Sequence, residues 1–208
     1  MEKTIFAFGD SITYGAWDIE NSGWANSLRR HLDQRAETDP DFYTLFYNLG
    51  IPGETTDGLV KRLRPEVETR LREGQENIFI FAYGANDAAM IPSEKRFRVP
   101  VAQFGANIEA AITTAKEFSS KIMLLNITPV IEEKTLNPLG KDRSRLDNSV
   151  VAYNEKLAEV ARKNSLPLVD VYGEFRKNDY IGLLDEGDGL HPNTKGHAII
   201  YELVKDHK

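Results

Sequence analysis

The sequence predicts an α/β protein: a parallel sheet of five strands covered by helices on both faces. Short apolar runs rich in β-branched and aromatic residues alternate with longer segments whose apolar residues recur at helical spacing. The runs are almost continuously apolar, as strands buried on both faces are. Right-handed crossover helices are the usual way to join parallel strands, so this alternation points to helices above and below one sheet.

The elements follow in order. Residues 4–8 form the first strand, 42–48 the second, 78–83 the third, 121–127 the fourth and 166–171 the fifth. Helical spacing is clear in Leu59-Leu63-Val67-Leu71, in Val101-Phe104-Ile108-Ala111-Ile112 and in Val150-Val151-Tyr153-Leu157-Val160. Two irregular insertions, 88–100 and 129–146, interrupt the pattern and are placed to wall a cleft. No internal repeat or interdomain linker is present, and 208 residues suit one domain spanning 1–208.

Composition narrows the function classes. A net charge of -6, without a stripe of Lys and Arg, argues against a nucleic-acid partner. The longest fully apolar run, 78–83, is far below the roughly 20 residues that a membrane span needs. No basic and apolar leader precedes the first strand, so the expected location is the cytoplasm without integral membrane association. The chain has no cysteine, which removes disulfides, thiolate metal sites and cysteine nucleophiles together.

Chemistry-bearing residues collect beyond the carboxyl ends of the strands, where ligands bind in open α/β sheets. Ser11 follows the first strand, Gly50 and Gly53 the second, and Gly84-Ala85-Asn86-Asp87 the third. Asp188-Gly189-Leu190-His191-Pro192 occupies the loop before the last helix. A serine hydroxyl becomes a useful nucleophile when a histidine takes its proton and a carboxylate holds that histidine's tautomer. Of the four histidines, only His191 has an acid three positions earlier within a Gly/Pro-bounded loop; His31, His197 and His207 do not. Gly9 and Gly15 relax the backbone around the serine turn, Gly53 lets an amide approach closely, and Asn86 offers a side-chain donor to an oxyanion. Taken singly, each has a plainer reading. Asp10-Ser11 suits a helix cap, Gly50 and Gly53 suit turns around Pro52, and Asn86 or Asp87 suits a cap on the next helix.

Taken together, four ordered blocks resemble the SGNH, or GDSL, hydrolase superfamily over nearly the whole length. They are Gly9-Asp10-Ser11 with Ile12-Thr13-Tyr14-Gly15, Asn48-Leu49-Gly50-Ile51-Pro52-Gly53, Gly84-Ala85-Asn86-Asp87 and Asp188-Gly189-Leu190-His191-Pro192. The resemblance implies a three-layer flavodoxin-like fold with strand order 2-1-3-4-5. It also implies cleavage of esters or thioesters, with Ser11 as nucleophile, Asp188 and His191 completing a triad, and Ser11, Gly53 and Asn86 forming the oxyanion hole. Ile12 stands where leucine is commoner in the family, an apolar exchange that leaves the chemistry untouched. The G-x-S-x-G elbow of ordinary α/β-hydrolases is absent, since Thr13 occupies the final glycine position.

The expected activity is therefore a serine esterase acting on short acyl esters through an acyl-enzyme, its rate falling on acidification as His191 takes a proton. Thioesterase, lysophospholipase or acyltransferase chemistry fits the same residues. A rival reading is a non-catalytic flavodoxin-like protein whose first loop cradles FMN phosphate, which leaves Asp188 and His191 without a use. Another is a carbohydrate-binding relative, suggested by Tyr14, Trp17 and Trp24. No cofactor or metal is expected, because Asp185-Glu186-Asp188 lacks the spacing of a calcium loop and no histidine pair suits zinc. That acidic group reads as a solvated turn; Lys141, Arg143 and Arg145 read as a solvated charge cluster, and Asp10 and Asp87 as loop hydrogen-bonders.

Overall fold

The computed structural model describes residues 2–119, 121–136 and 140–206. His207 and the middle of the second insertion lie outside these residues. The strands are β1 (Lys3–Gly9), β2 (Thr44–Gly50), β3 (Glu76–Ala82), β4 (Met90–Ile91), β5 (Arg96–Phe97), β6 (Lys121–Leu125) and β7 (Leu168–Val169). The α-helices are α1 (Ser11–Tyr14), α2 (Gly23–Thr38), α3 (Thr56–Glu68), α4 (Val101–Lys116), α5 (Glu132–Thr135), α6 (Asp147–Asn164), α7 (Val171–Lys177) and α8 (Thr194–Lys205).

Five strands pair in parallel in the order β2-β1-β3-β6-β7, which, counted within the sheet, is the expected 2-1-3-4-5. The other two, β4 and β5, form an antiparallel hairpin inside the first insertion. Alternation along β1 divides the core into two layers. Phe6 and Phe8 join Leu59, Leu63, Phe104, Ile108 and Leu157 from α3, α4 and α6 on one face. Ile5 and Ala7 join Trp24, Leu28, Phe175, Ile200 and Val204 from α2, α7 and α8 on the other. A fully buried phenylalanine or leucine is worth roughly 1.5–3 kcal/mol, so these paired layers are the main source of stability.

The register decides where the loops emerge. Gly9 lies level with Gly50 and Ala82, Ala82 with Leu125, and Leu125 with Val169. Loops leaving β1, β2 and β3 therefore start side by side, and the chain reverses its direction of travel across the sheet at β1. The fifth strand is shorter than residues 166–171 suggest. Pro167 has no amide to give to the ladder, and Asp170 leaves it to cap α7, accepting from the Gly173 amide at 2.8 Å.

Candidate active site

Ser11 is the first residue of α1, separated from the end of β1 by Asp10 alone. The Asp10 carboxylate caps this short helix, accepting from the Ile12 amide at 2.9 Å, and the Asp10 carbonyl accepts from the Tyr14 amide at 2.9 Å. Gly50 sits against the same turn: a Cβ there would lie 2.2 Å from the Tyr14 nitrogen. The serine is thus held by a tight turn of β1–α1 backed by the end of β2.

The loop before α8 builds the opposite wall. Asp185 Oδ1 accepts from the amides of Gly187 at 2.8 Å and Asp188 at 3.1 Å, while the Asp185 amide donates to the His191 carbonyl at 2.7 Å. Asp185 therefore orders this loop rather than merely facing solvent. Asp188 Oδ1 accepts from the amides of Leu190 at 2.9 Å and His191 at 3.0 Å, which leaves Oδ2 to face the imidazole. His191 Nδ1 lies 2.5 Å from Asp188 Oδ2, and His191 Nε2 lies 2.8 Å from Ser11 Oγ. Burial would raise the Asp188 carboxyl, but the His191 ring and the loop amides hold it down at about 2. It is ionised at neutral pH and fixes the proton of His191 on Nδ1, leaving Nε2 to accept from the serine hydroxyl.

The third element is Asn86. Its Nδ2 donates to Asp10 Oδ2 at 3.2 Å, and its Oδ1 accepts from Arg145 Nη2 at 3.0 Å and Arg98 Nη1 at 3.3 Å. A guanidinium has no acceptor, so the atom facing both arginines is the amide oxygen, and among the described residues the second Nδ2 hydrogen has no acceptor. Among the described residues the backbone amides of Ser11 and Gly53 donate no hydrogen bond. Gly53 has φ 79°, a conformation that favours glycine.

Several expectations change here. Arg145 is not part of a solvated cluster: it is only 6% exposed, bonded to the Ala85 carbonyl at 2.8 Å and to Asn86, and burial pulls its guanidinium down to about 10. Lys141 and Arg143 are exposed, as expected. Trp24 cannot contact a sugar because it lies in the core beneath α2, whereas Tyr14 and Trp17 are exposed. Asp87 accepts from the Thr56 amide at 3.0 Å and the Thr56 hydroxyl at 2.5 Å, so it ties β3's loop to the start of α3. His197 is buried, with Nδ1 accepting from the Trp24 amide at 3.3 Å and Nε2 donating to the Ala16 carbonyl at 3.3 Å; it anchors the loop that carries Trp17.

Four sequence-distant segments thus meet at one end of the sheet, with the spacing of a proton relay from hydroxyl to imidazole to carboxylate. A family model described as GDSL-like Lipase/Acylhydrolase matches residues 5–204. The chain belongs to this family. That membership makes it an ester-cleaving hydrolase. Relatives include the lipoprotein YqeF of Bacillus subtilis, 29% identical, with 98% of this chain and 88% of that protein covered. The human isoamyl acetate-hydrolyzing esterase 1 homolog is 24% identical, over 95% of this chain and 77% of that protein. Among solved structures, a lipase/acylhydrolase from Enterococcus faecalis superposes with a TM-score of 0.75 at 24% identity, covering 98% of this chain and 93% of the other. An acetylxylan esterase from Geobacillus stearothermophilus gives 0.73 at 19%, covering 97% and 91%. Both share the fold.

Proposed function

We propose that this GDSL hydrolase is a serine esterase for short acyl esters, acetate esters first among them. The observation that carries the reading is the continuous relay in which Ser11 Oγ stands 2.8 Å from His191 Nε2 and His191 Nδ1 stands 2.5 Å from Asp188 Oδ2. His191 takes the Ser11 proton as Oγ attacks the acyl carbonyl. The negative charge moves to the carbonyl oxygen, where the amides of Ser11 and Gly53 and the free Asn86 N–H receive it. Collapse expels the alcohol, which leaves with the proton from His191. Water then attacks the acyl-enzyme with His191 again as base, releasing the carboxylic acid and restoring Ser11.

The acetate preference is supported by the acetyl esters in the names of the human and Geobacillus relatives and by the lack of an obvious lid in the sequence. A nitrophenyl ester series of increasing acyl length tests it. Each methylene seated in an apolar pocket is worth about 0.8 kcal/mol, roughly fourfold in rate, so an acetyl site declares itself as a maximum at the shortest esters. Rising rates through octanoate overturn the acetate preference, and turnover by Ser11→Ala overturns the serine mechanism. A cytoplasmic location is a separate proposal, and recovery of the natural protein with the membrane fraction, as the name of the B. subtilis relative suggests, overturns it.

A further inference from the structure

The two insertions converge on one atom. Arg98, in the loop after β5, donates from Nη1 to Asn86 Oδ1 at 3.3 Å and from Nη2 to the Gly53 carbonyl at 3.0 Å. Arg145, from the second insertion, donates from Nη2 to the same Asn86 oxygen at 3.0 Å and from Nε to the Ala85 carbonyl at 2.8 Å. The insertions are themselves joined. Met90 and Ser144 exchange backbone hydrogen bonds of 2.9 and 3.0 Å, and the Ser93 amide donates to Asp142 Oδ1 at 3.2 Å. Both arginines are thereby held from outside the sheet.

Their effect on the amide follows from its chemistry. Two cationic donors on the oxygen prevent the side chain from flipping and draw electron density from its nitrogen, which makes the remaining N–H a stronger donor. Asp10 Oδ2, buried beneath the serine turn, holds the other N–H at 3.2 Å. A donor fixed before the reaction needs no reorganisation when charge develops, and in a partly desolvated site such preorganisation is worth more than in water. Arg98 adds a second constraint, because its other arm reaches the Gly53 turn and so couples two of the three proposed donors.

We propose that Arg98 and Arg145 are positioning residues of the oxyanion site, holding and polarising the Asn86 amide, with Arg98 also tying that amide to the Gly53 turn. The proposal rests on the reading of Asn86 as an oxyanion donor. On it, the insertions serve catalysis through a side chain that touches the substrate, without touching the substrate themselves.

A double-mutant cycle on p-nitrophenyl acetate tests this, using Arg98→Met, Asn86→Ala and the pair. Asn86→Ala is expected to lower kcat by about 100- to 1000-fold, the usual loss of one oxyanion donor. Arg98→Met is expected to lower kcat by about tenfold or more with KM within about twofold, because it weakens an interaction made in the transition state. The pair is expected to be slower than Asn86→Ala by a factor well short of the Arg98→Met loss, since most of what Arg98 does passes through Asn86. A structural fault elsewhere would multiply the two losses in full, and that result overturns the proposal, as does an Arg98→Met enzyme with wild-type kcat beside a slow Asn86→Ala. If circular dichroism shows Arg98→Met unfolded, Arg98→Lys is put through the same cycle, since it keeps the charge but cannot fork between two acceptors. Full activity in Asn86→Ala removes the oxyanion reading itself and this proposal with it.

Discussion

The Trp17 indole N–H lies 3.1 Å from Asp188 Oδ2, the same oxygen that faces His191 Nδ1. Trp17 Nε1 is also 3.1 Å from His191 Nδ1, but that nitrogen must carry a proton to serve Asp188, so the carboxylate is the indole's acceptor. The rings meet edge to face at 74°, with Trp17 61% exposed. Trp17→Phe keeps an aromatic edge and removes only the donor. A net hydrogen bond of about 1 kcal/mol predicts roughly a fivefold loss of kcat/KM. Because the side chain is mostly exposed, the melting temperature is expected to stay unchanged, and a large fall in it would mean that the residue holds the loop rather than the carboxylate.

Asp188, held at about 2, is ionised throughout the range in which a histidine changes charge. Loss of activity above about pH 4 is therefore not expected to trace to protonation of Asp188. The linkage has a definite sign: a carboxyl lower in the folded chain than its ordinary 3.8 stabilises the fold above that value, and the benefit disappears as pH falls toward 2. Asp188→Asn is expected to flatten acid unfolding between about pH 4 and pH 2, and to cost about 10,000-fold in kcat by leaving the imidazole without its orienting charge. Chemical unfolding followed across pH, with single-turnover rates, measures both.

Much of the fold was legible because burial leaves a periodic trace. Phe6 and Phe8 against Ile5 and Ala7 show double-sided burial of β1, and Leu59, Leu63 and Val67 mark the inner stripe of α3. Leu71 continues that stripe on paper, yet it is exposed, since α3 ends at Glu68. Ser11 and Asn86 stood out by turn-forming neighbours beyond strands, and Asp188 with His191 by their three-residue spacing in a Gly/Pro-bounded loop. Arg98 and Arg145 were not, because a buried arginine and a solvated one look alike in a segment without periodicity. The pairing of Met90 with Ser144 helps fold both insertions back over Asn86, and that pairing has no local signature.

Asp87 yields a stability prediction of opposite sign to that of Asp188. Burial pushes its carboxyl up to about 6 despite the hydrogen bonds from Thr56, with the Asp10 charge adding to the rise. The folded chain then holds a proton that the unfolded chain releases near 3.8, so this contribution is present at low pH and is lost as pH rises through about 6. The difference is on the order of 3 kcal/mol. Asp87→Asn cannot titrate, so its stability is expected to change less between pH 4.5 and pH 7.5 than that of the wild type. Urea midpoints at those two pH values decide it, and parallel changes in both proteins would place the titration elsewhere.

Gly50 and Gly53 flank one turn but need to be glycine for different reasons. A Cβ on Gly50 would stand 2.2 Å from the Tyr14 nitrogen and 2.8 Å from the Asp10 carbonyl oxygen, both backbone atoms of the turn that carries Ser11. A Cβ on Gly53 meets nothing within 4 Å, and the constraint there is the positive φ of 79°. Gly53→Ala should therefore cost about 1–2 kcal/mol of backbone strain and leave the serine turn in place. Gly50→Ala must displace α1, at a cost typical of overpacking, about 1–3 kcal/mol or more. Rates of labelling by a serine-directed organophosphate separate the two effects: Gly50→Ala is expected to react slowly because Ser11 moves away from His191, whereas Gly53→Ala keeps the relay intact and slows only through the amide proposed as an oxyanion donor. Equal labelling of Gly50→Ala and wild type would show that the turn yields elsewhere, and that the end of β2 does not set the position of the serine.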